Sequence, residues 1–192
     1  EQSAKHAVWI GGSIPEHTEG YDLPTNRFIL AAPTGELHRY SKSYHFSDEP
    51  FSAGTETITV DVKGVNVTPF ICYDLRFPEL YRVYAGADLM LCPAEFTHMT
   101  GKAHWEILLR ARAIENQCYV AGVNQCGMNE PMQVLAYGHS MMVAPWGEVL
   151  AVADEDEVCL CSELSHQAIT DARQRVPSLQ SMQQAVTWSN SH

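Results

Sequence analysis

Short apolar runs alternate with helical periodicities through the middle of this chain, and hairpin patterns flank them on both sides. That order confines the fold to a layered α/β arrangement. In the middle, Val65 to Cys72 reads as a buried strand and Leu75 to Ala85 as a helix, with Leu75, Leu80, Val83 and Tyr84 on one face. Asp88 to Cys92 is a second short strand. A longer helix spans about Ala103 to Asn116 on the broad apolar face of Trp105, Leu108, Leu109, Ala111, Ala113 and Ile114, and Cys118 to Val123 is a third strand. In the flanks, Phe28 to Ala32 and Gly35 to Tyr40 form a hairpin around Pro33-Thr34-Gly35, and Thr57 to Val62 turns back at Lys63-Gly64. Ser140 to Ala144 and Glu148 to Ala153 form another hairpin around Pro145-Trp146-Gly147. The pattern also predicts a buried strand at Ala7 to Ile10 stopped by Gly11-Gly12, a last strand at Val158 to Ser162 and a last helix at Ser165 to Arg175. Residues 1–177 read as one domain and 178–192 as a loose tail.

Composition narrows the partners. Twelve Lys and Arg stand against 23 Asp and Glu, with no basic cluster, in a chain of net charge −11. Nucleic acid and anionic membrane surfaces need a positive footprint, so neither is expected. No apolar run approaches the roughly 20 residues of a membrane span, and residues 1–20 do not resemble a signal peptide, which predicts a cytoplasmic protein. Cys72, Cys92 and Cys118 sit in apolar runs as buried free thiols do, and no Cys-x2-Cys or His-Glu-x-x-His pattern marks a metal. No metal or other cofactor is expected.

The most informative stretch is Phe70-Ile71-Cys72-Tyr73-Asp74-Leu75-Arg76-Phe77-Pro78-Glu79-Leu80. A buried strand ends at a cysteine, and a helix begins within three residues. Such a corner turns the sulfur outward, the helix N-terminus favours its thiolate, and the following backbone N–H groups are free for an oxyanion. Taken alone, the run also reads as a buried thiol closing a core strand, and that reading is the stronger until Cys72 has partners. Lys42, at the end of a core-facing strand, is either a solvated lysine or a fixed cation beside a tetrahedral intermediate. Pro93-Ala94-Glu95-Phe96-Thr97 follows a strand and is placed either to line a pocket or simply to join strand to helix. Arg112 with Glu115, and Arg76 with Glu79, read as structural ion pairs. His104 or His139 could partner Cys72 in a cysteine–histidine dyad on an unrelated fold, which would still want an Asn or Asp.

The runs Cys72 to Glu79, Tyr40-x-Lys42 and Ala103-His104-Trp105 leading to Arg112-Ala113-Ile114-Glu115-Asn116 resemble the nitrilase superfamily of carbon–nitrogen hydrolases. Gly11-Gly12-Ser13-Ile14-Pro15-Glu16, Tyr137-Gly138-His139-Ser140 and Pro145-Trp146-Gly147-Glu148-Val149 look like further landmarks in the same order, across about residues 7–177. The resemblance implies a four-layer αββα sandwich of the nitrilase type, assembled into homo-oligomers, that hydrolyses a small amide through a cysteine thioester. On it, Cys72 matches the nucleophile, Lys42 the lysine that steadies the tetrahedral intermediates, and the Tyr73 amide part of the oxyanion site. Glu49 is the match for a second acid, in a loop shorter than the family's. Apart from the resemblance, Glu95 and Phe96 are the residues of the Pro93–Thr97 segment expected at a substrate pocket if that segment lines one.

The resemblance also implies a general-base glutamate upstream of the Gly11–Glu16 landmark. Glu16 belongs to the landmark and lies too near Lys42 to be it, so the sandwich is expected to be N-terminally incomplete, lacking its first strands. The run after Lys42, Ser43-Tyr44-His45-Phe46, departs from the family's His-Leu-Phe and suggests an altered pocket entrance. The stretch through Cys72 looks like the ω-amidase members, which act on 2-oxo acid amides. Leu108 to Cys118 with Gln125-Cys126-Gly127 looks more like the deaminated-glutathione amidases. Cys-Tyr-Asp, in place of Cys-Trp-Glu, argues against a nitrile substrate. The reading from another class is a truncated, non-catalytic paralogue kept as a scaffold.

Overall fold

The structure, a computed structural model, describes residues 1–47 and 49–182. A short helix, α1 (Gln2–His6), leads into β1 (Ile10–Glu16), which pairs antiparallel with β2 (Thr25–Ala31). Strand β2 pairs in turn with β3 (Leu37–Ser41) around the expected turn, closed by Gly35 N–H to the Ala32 carbonyl at 3.0 Å. The strand expected at Ala7 to Ile10 is not there. Ala7 ends α1 in the left-handed region (φ 53°), and β1 runs straight through Gly11-Gly12. Gly11 is a close-approach residue and not a stop: a Cβ there would come within 2.7 Å of the Phe28 ring.

The second sheet begins with β4 (Val60–Val62), which turns at Lys63-Gly64, both at positive φ, into the antiparallel β5 (Val65–Pro69). A 3-10 helix (Cys72–Arg76) and α2 (Pro78–Val83) carry the chain to β6 (Leu89–Ala94), parallel to β5. The long α3 (His98–Asn116) then returns it to β7 (Tyr119–Asn124), parallel to β6. A hairpin of β8 (Cys126–Asn129) and β9 (Val134–Tyr137) forms a small sheet of its own, before β10 (Met141–Val143) and β11 (Val149–Val152) extend the large sheet. Its order is β11-β10-β7-β6-β5-β4. Helix α4 (His166–Arg175) follows.

Burial shows how the layers stack. Phe28, Leu30 and Tyr40 of the first sheet pack against Val60, Val67 and Ile71 of the second. On its other face, Met90, Val120 and Val143 meet Tyr81 of α2 and Trp105, Leu109 and Ala113 of α3. Ile169 of α4 packs on Tyr119 and Ala144, beside the first sheet. The described residues therefore supply a helix layer, a six-stranded sheet and a three-stranded sheet in an α/β sandwich.

Three further expectations are corrected. The single helix foreseen from Leu75 to Ala85 is broken at Phe77, which is extended (φ −110°, ψ 91°). Pro78 disfavours a helical conformation in the residue before it and itself takes the first position of α2. The strand expected at Val158 to Ser162 finds no neighbour among the described residues: the chain leaves the sheet at Ala153, and Val158, Cys159 and Cys161 face solvent. Third, α3 starts five residues before Ala103, because the Thr97 hydroxyl accepts the Thr100 N–H at 3.3 Å and caps it. Of the tail, residues 178–182 form a helical turn and 183–192 lie outside the described residues. Among the described residues no helix is long and apolar enough to cross a membrane.

The early start of α3 depends on Gly101. Its missing side chain seats the helix on Tyr137 of β9, where a Cβ would lie 2.3 Å from the ring. Helix propensity alone would make Gly101→Ala stabilising by roughly 1 kcal/mol. The packing predicts the opposite sign, a loss of about 2 kcal/mol or more. Thermal denaturation should show this as a Tm lower by about 5 °C or more.

Candidate active site

Three parallel strands, β5, β6 and β7, end on the same side of the large sheet, where open α/β sheets form their ligand crevices. The segments leaving them, with the loop after β3, enclose a cleft of about 760 Å³. Cys72 and Lys42 both line it, as do Glu49, Tyr73, Glu95 and Phe96. These six candidate residues are therefore gathered in one place.

Cys72 stands at the corner itself. Ile71, just after β5, is fully buried, and Cys72 is half-buried in the left-handed region at φ 48°, a conformation that a side chain adopts only under constraint. The constraint is Asp74. Its fully buried carboxylate accepts the Ile71 N–H at 3.0 Å, capping the 3-10 helix. It also accepts the Tyr40 hydroxyl at 2.7 Å, the Tyr44 N–H at 2.9 Å and the Ser43 N–H at 3.2 Å. One side chain thus ties the Cys72 corner to the segment that carries Lys42. Stacking reinforces the tie: Tyr44 lies on Phe77 with centroids 3.7 Å apart, and Phe46 meets the edge of Tyr73 at 5.3 Å. The altered run after Lys42 is therefore a clasp over the Cys72 turn, with Phe46 on the cleft wall.

Lys42 is not a solvated lysine. Its side chain is 2% exposed and donates to Glu49 Oε2 at 2.5 Å, while Glu49 Oε1 takes the Phe46 N–H at 3.3 Å. The short loop is enough to bring Glu49 onto the lysine. The Tyr73 N–H falls in the first turn of the 3-10 helix, where no internal acceptor is available to it.

The expected easy ionisation of Cys72 needs correction. Burial pushes its thiol above the ordinary cysteine value, although the Glu95 backbone N–H and the nearby Lys42 charge pull it down, and Glu49 and Asp74 oppose them. Desolvation outweighs a helix terminus of a single 3-10 turn. Because the folded thiol titrates high, the thiolate fraction grows as pH rises through and beyond the usual range. Alkylation of Cys72 by iodoacetamide, followed on the Cys72 peptide against pH, should have its midpoint above that of free cysteine at about 8.5. In Lys42→Met it should move higher still.

Glu95 is half-buried and accepts Asn129 Nδ2 at 2.7 Å, which ties the β8–β9 hairpin to the cleft. Phe96 is buried, and its N–H donates to Asn124 Oδ1 at 2.8 Å. Arg76 is not paired with Glu79. Its guanidinium carbon lies 5.0 Å from the Phe96 ring and 5.7 Å from the Tyr73 ring, on the wall of the cleft, and it makes no ion pair among the described residues. Arg112 does pair with Glu115 at 2.9 Å and also grips the Leu75 carbonyl, a structural role. Neither histidine forms a dyad with Cys72: His104 is bonded to Arg76 at 3.2 Å, and His139 is stacked on Tyr137. Glu16 pairs with Arg27 at 3.0 Å. Among the described residues no three His, Cys, Asp or Glu side chains gather in a way that could hold a metal ion.

Sequence reasoning missed Asp74, whose signal was its place three residues after Ile71, the capping-box spacing. It also missed the hairpin that gives the cleft Met132 and Val134, because Met128-Asn129-Glu130-Pro131-Met132 has no alternation to read.

Comparison with known proteins bears on the family and the fold. The family model described as carbon-nitrogen hydrolase matches residues 1–174. The omega-amidase NIT2-A of Xenopus laevis is 37% identical over 182 residues, covering 88% of this chain and 65% of that protein. A deaminated glutathione amidase of Synechocystis is 41% identical over 172 residues, covering 81% and 62%. The crystal structure of Nit3 from Saccharomyces cerevisiae, a member of branch 10 of the nitrilase superfamily, superposes with a TM-score of 0.85 at 37% identity, covering 91% of this chain and 66% of that one. The chain thus spans a little under two thirds of the length of the curated relatives it matches.

Proposed function

The chain belongs to the carbon–nitrogen hydrolase family, and on that footing we propose that the protein is an amidase that removes ammonia from the terminal amide of a small carboxylated substrate, of the ω-amidase type that takes 2-oxo acid amides. The carrying observation is that Cys72, Lys42 and Glu49 line a single cleft whose wall also holds Arg76, a cation with no ionic partner among the described residues.

The chemistry follows from those positions. The Cys72 sulfur attacks the amide carbon after losing its proton, which burial makes necessary to assist. The Lys42 ammonium and the Tyr73 N–H meet the oxygen that becomes negative. Collapse breaks the C–N bond, the nitrogen leaves as ammonia with that proton, and a thioester remains on Cys72. Water then cleaves the thioester, giving the acid and restoring the thiol. Glu49 holds Lys42 aimed, and it is the carboxylate on that lysine through which protons can pass. Arg76 suits the substrate carboxylate, since a guanidinium fork matches two carboxylate oxygens. The outward Val83 and Ile107 of the helix layer support self-association as part of this reading.

Ammonia release from succinamate tests the proposal. Turnover is expected with succinamate, more weakly with the uncharged butyramide, and not at all in Cys72→Ala. Activity surviving in Cys72→Ala would remove it. A deaminated-glutathione substrate is the second reading, supported by the relative of that name at 41% identity. A preference for a peptidic amide over succinamate would favour it.

A further inference from the structure

The cleft cation has an unusual mounting. Aromatic faces at 5.0 Å and 5.7 Å fix the plane of the Arg76 guanidinium, but a ring face cannot fix rotation within that plane. Only a directed hydrogen bond does so, and the one side chain that supplies it among the described residues is His104, on the first half of α3, whose Nδ1 lies 3.2 Å from an Arg76 terminal nitrogen. A guanidinium can only donate, so the imidazole nitrogen accepts and its proton sits on Nε2. The neighbouring residue, Trp105, is fully buried and packs on Phe96 at 4.9 Å, so the same helix turn braces both the ring under the guanidinium and the acceptor at its edge.

We propose that His104 is a positioning residue for carboxylate recognition: its Nδ1 holds one N–H of Arg76 so that the remaining edge of the fork faces the cleft in register with the two oxygens of a substrate carboxylate. The inference rests on the reading of Arg76 as the carboxylate anchor. It assigns His104 no contact with substrate and no proton transfer at Cys72. Its effect belongs in binding of charged substrates and not in the acyl-transfer step.

The test uses calorimetric binding of succinamate and butyramide to Cys72→Ala protein, which prevents turnover, together with steady-state kinetics in the active protein. His104→Leu, which keeps bulk and removes the acceptor, should weaken succinamate binding about tenfold. Its KM should rise by a similar factor, with kcat nearly unchanged. Butyramide binding should stay within about twofold. His104→Gln, whose side-chain oxygen can accept the same N–H, should recover most of the loss. In an Arg76→Ala background, His104→Leu should have no further effect. Equal losses for both amides, unchanged succinamate binding in His104→Leu, or the same loss with Arg76 already removed would each overturn the proposal. Absence of succinamate binding in the parent protein would overturn it too. Succinamate binding that depends on His104, without an acyl adduct in the active protein, would sink the amidase reading and leave this one standing.

Discussion

Lys42→Met is expected to lower kcat/KM for a carboxylated amide about a thousandfold, the usual scale for removing a group aimed at a developing oxyanion. Methionine keeps the length of the side chain and removes its charge, so the cleft shape survives. The loss should fall on kcat, because the cation is needed where the tetrahedral oxygen becomes negative and not where the substrate waits. A second consequence separates chemistry from folding. Lys42 is buried against Glu49, and stripping its charge leaves that carboxylate without its partner. With Glu49 partly open to solvent, the cost is about 1–3 kcal/mol. Glu49→Gln added to Lys42→Met should recover most of that stability without recovering activity. Denaturant unfolding and kinetics on the same three proteins check both parts.

Asp74→Ala should be the most damaging single change to the fold. Its carboxylate takes four donors, three of them backbone N–H groups, in a place with no solvent to replace it. Orphaning buried donors costs about 1–3 kcal/mol each, so even with relaxation a loss of about 4 kcal/mol or more is expected. The variant should also release the clasp over Cys72, since Ser43 and Tyr44 lose the acceptor that holds them to the corner. Asp74→Asn keeps one acceptor oxygen and should cost about half as much. Urea denaturation gives the stabilities. Protease cleavage within residues 43–54, faster in Asp74→Ala under conditions where it is still folded, reports the loosened segment.

Much of this arrangement was legible in the sequence because it is written in local periodicity. The strands ending at Pro69, Ala94 and Asn124 are short apolar runs set by helical stretches, and that alternation confined the fold to a layered α/β arrangement. What periodicity does not carry is contact at a distance. Lys42 looked solvated in its own segment, and only the packing of the two sheets buries it. Asp74 looked like an ordinary polar residue of a turn, yet it reaches 34 residues back to Tyr40. Arg76 and Glu79 had ion-pair spacing, but Phe77 and Pro78 break the helix that would have brought them together, and aromatic faces claim the guanidinium instead. Val158 to Ser162 failed in the opposite way: it has the composition of a strand and joins no edge among the described residues.

The central claim, that one sulfur held beside a buried ammonium carries an acyl group, is tested most directly by peptide-resolved mass spectrometry of the protein quenched in acid during turnover of succinamate. The predicted result is an adduct on the Cys72 peptide with the mass of the substrate less ammonia, lost on treatment with hydroxylamine and absent from Cys72→Ala. Sustained ammonia release with the label on another residue, or with Cys72 remaining alkylatable throughout, would contradict the account.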